Sequence, residues 1–103
     1  MTGKELLEIV SSVYRAPLGV FPRGGLASSM RVSISSSPTS VTLTNDIGEN
    51  ATLSSEEDGF RVYPCPKFEQ EIQSFESLEE ALFFLLRLFL RSEVRRVVGN
   101  AHK

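Results

Sequence analysis

Apolar residues recur at intervals of three and four near both ends of the chain and at intervals of two in its middle. Leu6, Ile9, Val10, Val13 and Tyr14 fall on one stripe, with Lys4, Glu8 and Ser11 outside it, which predicts an amphipathic helix from about Gly3 to Tyr14. Thr2-Gly3-Lys4-Glu5 has the spacing of a capping box, in which a hydroxyl and a carboxylate satisfy amides left free at a helix start. Pro17 ends this helix, because its ring clashes with a continuing turn and biases Ala16 towards extended backbone.

From Met30 the period becomes two. Met30, Val32 and Ile34 alternate with Arg31, Ser33 and Ser35; Val41 and Leu43 with Thr42 and Thr44; Ala51 and Leu53 with Thr52 and Ser54; Phe60 and Val62 with Arg61 and Tyr63. Ser37-Pro38, the stretch Asn45 to Asn50, and Asp58-Gly59 supply turn chemistry between these runs. The pattern predicts a four-stranded antiparallel meander, apolar on one face and rich in Ser and Thr on the other.

Pro64-Cys65-Pro66 opens an acidic linker containing Glu69, Glu71 and Glu76. Ser77-Leu78-Glu79-Glu80 repeats the capping-box signature and opens a helix expected to run to about Val98, where Gly99-Asn100 stops it and leaves 99–103 as a frayed tail. The expectation is one α+β domain over residues 1–103, ordered α-β-β-β-β-α, with both helices on one face of the sheet. Residues 15–29, with two prolines and three glycines, fit no regular element and form a long loop. Within it, Phe21 and Leu26 are the expected anchors and Arg15 and Arg23 the expected contact residues.

The C-terminal helix carries more apolar surface than its packing requires. At 100° per residue, Leu78, Ala81, Leu82, Leu85, Leu88 and Phe89 share the face expected against the sheet. Phe83, Leu86, Leu90, Val94 and Val97 form a second stripe, so the apolar arc spans roughly 220° where about 100° suffices for a surface helix. The first helix and the long loop could cover that stripe. Left open, it would be a partner surface anchored by Phe83, Leu86, Leu90 and Val94, with Phe84, Arg87 and Arg91 at its rim. Symmetric pairing of this helix or of a sheet edge with a second copy is the simplest form of such a surface.

Charge changes the picture at one end only. The whole chain has a net charge of −2, yet residues 87 to 103 carry Arg87, Arg91, Arg95, Arg96 and Lys103 against Glu93 alone. The remaining residues hold six basic and twelve acidic side chains. Cations suit a helix C-terminus through the macrodipole, which accounts for a basic tip without any ligand. Arg91, Arg95 and Arg96, with Arg23 from the loop, are the alternative anion or nucleic-acid contacts. Membrane-surface binding by this helix is disfavoured by its acidic start, Glu76 to Glu80. The longest apolar run, Ala81 to Leu90, is interrupted by Arg87 and is about half of what spans a bilayer.

No motif for catalysis, cofactor or metal binding emerges. The one cysteine, Cys65, has only His102 as a possible base, one residue before the last position. Glu56-Glu57-Asp58 reads as a solvated hairpin turn, and Arg23-Gly24-Gly25 matches neither the dinucleotide nor the Walker pattern. The polar start resembles no secretory leader and a lone thiol suits a reducing compartment, so a cytoplasmic setting is expected and the Asn50-Ala51-Thr52 sequon carries little weight. The reading is a small non-enzymatic protein–protein interaction module, of the adaptor, inhibitor or chaperone-like kind, forming a homodimer through its C-terminal helix.

Overall fold

The structure, a computed structural model, describes residues 1–15 and 32–101. Helix α1 spans Gly3–Arg15; strands β1 to β5 span Ser33–Ser37, Ser40–Thr44, Asn50–Glu56, Gly59–Pro64 and Gln73–Phe75; helix α2 spans Leu78–Ala101. A single 3-10 turn, Pro66–Phe68, lies between β4 and β5. Every strand pairs antiparallel with its neighbour in sequence, giving the sheet order β1-β2-β3-β4-β5. The helix, meander and helix architecture expected from periodicity is therefore present, with five strands in place of four.

The additional strand falls inside the stretch read as an acidic linker. Gln73-Ser74-Phe75 is too short to show an alternation of its own, and its pairing is set by tertiary contact: Phe75 lies opposite Phe60, and Gln73 opposite Val62. A second correction concerns the end of α2. Gly99 lies within the helix, which continues to Ala101, so residues 99–101 are not a tail. A glycine inside a helix costs only about 1 kcal/mol relative to alanine, which weakens a helix without obliging it to stop. Of the expected 15–29 loop, Arg15 closes α1; the rest, with Arg23, Phe21 and Leu26, lies outside the described residues, as do Met30 and Arg31 of the first predicted strand and His102.

Register sorts the side chains onto two faces. Ile34, Leu43 and Ala51 lie opposite one another across β1, β2 and β3, and Val41, Leu53 and Val62 do so across β2, β3 and β4. These inward residues join Leu6, Val10 and Tyr14 of α1 and Ala81, Leu82, Leu85, Leu88 and Phe89 of α2 in one core. Helix α1 packs on β1 and β2, and α2 on β3, β4 and β5, so both helices occupy the same face. Each large apolar side chain so buried contributes about 1.5 to 3 kcal/mol. The other face is polar: Thr42 and Thr52, directly opposed, share a 2.8 Å hydrogen bond, and Arg61 Nε donates to Ser74 Oγ at 3.2 Å.

The start of α1 is held as its sequence predicts. Glu5 N–H donates to Thr2 Oγ1 at 3.2 Å while Thr2 N–H donates to Glu5 Oε1 at 3.2 Å, the reciprocal pair of a capping box. At α2 only half of that arrangement forms, the Glu80 N–H donating to Ser77 Oγ at 3.2 Å. Gly3 also docks the helix on the sheet, donating its N–H to the carbonyl of Pro38 at 2.9 Å in the β1–β2 turn.

Candidate functional site

Burial along α2 changes abruptly after Phe89. Between Ala81 and Phe89 the helix buries five side chains; from Leu90 to Ala101 none of the described side chains is buried. Phe83 is 59% exposed, Leu90 38%, Val94 52% and Val98 49%. Helical spacing places Phe83, Leu90 and Val94 on the side of α2 opposite Leu85 and Leu88, facing away from the sheet. Helix α1, packed on β1 and β2, does not cover them. Leu86, between the core and this stripe, is half-buried against the core. The four expected anchors are thus divided, with Leu86 partly in the core and the other three open.

Phe84, expected among the charged residues at the rim, is half-buried. Its ring packs on Phe75 of β5 with centroids 5.5 Å apart, a contact invisible without the fifth strand. On that side of α2, turned towards the β2–β3 turn and the 3-10 turn, lies a groove of about 550 Å³. Phe68, Phe84 and Leu88 supply its apolar floor, together with Ile47 from the turn. Lys67, Arg87, Arg91, Arg95 and Arg96 surround it, with Glu49 the one carboxylate among its described lining residues. The structure brings Phe84, Arg87 and Arg91 of the expected partner surface together with Arg91, Arg95 and Arg96 of the expected anion site; Arg23 lies outside the described residues.

Local chemistry fixes the walls. The Asn45 side chain accepts the N–H groups of Ile47 and Glu49 at 3.2 and 2.9 Å and donates through Nδ2 to Glu49 Oε1 at 2.7 Å, closing the β2–β3 turn over Gly48, whose φ is +83°. The Ser92 hydroxyl hydrogen-bonds the same Glu49 oxygen and so ties this turn to α2. Lys67 Nζ donates to the Ile47 carbonyl at 3.3 Å, tying it to the 3-10 turn as well. Phe68 is buried edge-on to Phe89, 5.2 Å between centroids. Glu69, after it, adopts a left-handed conformation (φ +56°) and donates its N–H to Pro66.

The cations are not equivalent. Arg96 is ion-paired with Glu93, and that hydrogen bond, ahead of the charge of Asp46, raises its pKa further. Among the described residues Arg87, Arg91 and Arg95 have neither an ion-pair nor a hydrogen-bond partner. Ile47, Glu49, Lys67 and Phe68 are groove residues that reading the helix alone misses. The turn signal Asn45 to Asn50 was legible, but not that it folds against α2.

Cys65 packs against the core, and its Sγ accepts the Asn50 N–H at 3.4 Å. No group of three or more His, Cys, Asp and Glu side chains among the described residues is placed to hold a metal ion. No described helix is long and apolar enough to cross a membrane. Compared with protein-family models, with curated proteins and with solved structures, the chain matches none.

Proposed function

We propose that the protein acts by protein–protein contact, as a non-enzymatic adaptor, inhibitor or chaperone-like subunit, and that it associates with a second copy through the outward side of α2. The observation that carries this reading is the open stripe of Phe83, Leu90 and Val94 on a helix whose last twelve residues bury none of their described side chains. Those twelve residues extend about 18 Å. They include Val94, Val97, Val98 and Gly99, all weak helix formers, so a covering partner would stabilise what local propensity does not.

Charge favours a second copy, paired antiparallel. Glu79 and Glu80 stand at the start of α2 and Arg91, Arg95 and Arg96 towards its end. Antiparallel pairing sets each acidic start beside the partner's basic end, whereas parallel pairing aligns like charges. A cytoplasmic setting goes with this reading, supported by the single thiol.

The test is sedimentation velocity over a dilution series, with wild type and the double variant Leu90→Asp/Val94→Asp. A concentration-dependent dimer that the variant abolishes, with helical circular dichroism unchanged, is expected. A wild-type monomer at every concentration overturns self-association, and a variant that unfolds instead of dissociating shows that the stripe belongs to the core.

A further inference from the structure

We propose that the groove between α2 and the β2–β3 turn is a docking site for an extended acidic segment of another protein, one in which carboxylates alternate with apolar residues. Arg87, Arg91 and Arg95 follow one another at four-residue intervals on α2, which places their Cα atoms about 6 Å apart along the helix axis. Alternate residues of an extended chain are about 6.6 Å apart and point to the same side. A strand of that composition can therefore present one carboxylate to each arginine in turn, and guanidinium suits carboxylate in paired, forked hydrogen bonds. Its other side, apolar, turns towards Ile47, half exposed on the β2–β3 turn across the groove.

Two further observations favour this occupant. Among the described residues the three guanidiniums are unpaired, so docking breaks no ion pair within that part of the chain, while Glu49, the one carboxylate among the described lining residues, is already hydrogen-bonded to Asn45 and Ser92. The basic patch is also local. The first 86 residues hold twice as many acidic as basic side chains, so a long polyanion reaching past the groove meets repulsion that a short peptide avoids. Phe68 is 7% exposed, an apolar floor rather than a projecting ring on which a nucleic-acid base stacks.

The test is fluorescence anisotropy with a labelled synthetic peptide alternating Glu and Leu, run beside the same peptide with Gln for Glu and beside a labelled single-stranded oligonucleotide. Saturable binding of the Glu peptide is expected, weakening as salt screens the exposed charges. The Gln peptide should bind at least about tenfold more weakly, as should the Glu peptide to Arg91→Glu/Arg95→Glu and to Ile47→Glu, each checked for unchanged circular dichroism and melting. The uncharged stripe variant Leu90→Ser/Val94→Ser, which places no carboxylate within ion-pair spacing of the arginines, should bind the Glu peptide as wild type does, which separates this site from self-association. No binding of the Glu peptide at low salt, equal binding by both groove variants, loss of binding in the stripe variant, or tighter binding of the oligonucleotide overturns the proposal.

Discussion

The ring of Tyr14, near the end of α1, meets the ring of Phe89 on α2 edge to face, with centroids 6.4 Å apart and planes at 81°. This contact joins the two helices above the sheet, and Phe68 extends it by packing on the far partner, Phe89. The Tyr14 hydroxyl has no hydrogen-bond partner among the described residues and is fully buried, and burial pushes its phenol pKa well above the ordinary value. Edge-to-face geometry belongs to the ring, not to the hydroxyl, so the two contributions can be separated. Tyr14→Phe keeps the contact and removes a polar group that costs about 1 to 3 kcal/mol to bury unpaired. The variant should gain about 1 kcal/mol in urea unfolding, and a clear loss would reveal a partner for the hydroxyl.

Gly3 is a position where nothing larger fits. A Cβ there would stand 1.6 Å from the carbonyl oxygen of Ser37 and 2.7 Å from that of Ser40, both backbone atoms of the β1–β2 hairpin. Relief requires α1 to lift from the sheet edge, breaking the Gly3 to Pro38 hydrogen bond. Gly3→Ala should therefore cost about 2 kcal/mol or more, although alanine is the better helix former. Thermal melting decides it, since propensity alone predicts a small gain.

The two sides of α2 should respond oppositely to substitution. Leu85 is fully buried, and Leu85→Ala should destabilise by about 2 to 5 kcal/mol through lost contacts and the cavity left behind. Val94, half exposed, faces away from the sheet, and Val94→Ala in the dissociated chain should stay within about 0.5 kcal/mol of wild type. Chemical unfolding at low protein concentration compares them directly. A large loss at Val94 would mean that part of the chain itself covers the stripe.

What could be read in advance follows the range of the forces involved. Leu6, Val10 and Tyr14 declare their helix through local spacing, and the paired Val41 and Leu53 declare theirs through alternation, because in both cases neighbours in sequence share one face. Gln73 to Phe75 declares nothing locally; its strand exists because Phe60 is across from Phe75. The groove was half legible for the same reason. Arg87, Arg91 and Arg95 are spaced on one helix and could be found there, whereas Lys67, Glu49 and Ile47 join them only through contacts across the fold, Lys67 to Ile47 and Glu49 to Ser92.

The turn that brings Lys67 and Phe68 to the groove carries a removable cost. Glu69 is the one residue other than glycine among those described with a positive φ, and an L side chain in the left-handed region costs roughly 1 kcal/mol. Its side chain is exposed and makes no hydrogen bond among the described residues, so little offsets that cost. Glu69→Gly should leave stability unchanged or raise it by up to about 1 kcal/mol, the relief of strain being set against a more flexible unfolded chain. A loss in thermal melting would show that the carboxylate contributes more than the backbone geometry indicates.

The cap of α1 makes stability depend on pH in a predictable direction. The Thr2 backbone N–H, and after it the Thr2 hydroxyl, hold the Glu5 carboxyl below the usual carboxylate range. A group whose pKa is depressed on folding stabilises the folded state above its unfolded value and loses that contribution as pH falls through its folded one. Wild type should therefore exceed Glu5→Gln in melting temperature at neutral pH, and the gap should narrow as pH drops below about 4.3, the reference value for glutamate. Because the site is exposed, added salt should narrow it as well. A gap independent of pH would assign the effect to hydrogen-bond geometry that glutamine fails to reproduce, and a gap that widens in acid would contradict the depressed pKa itself.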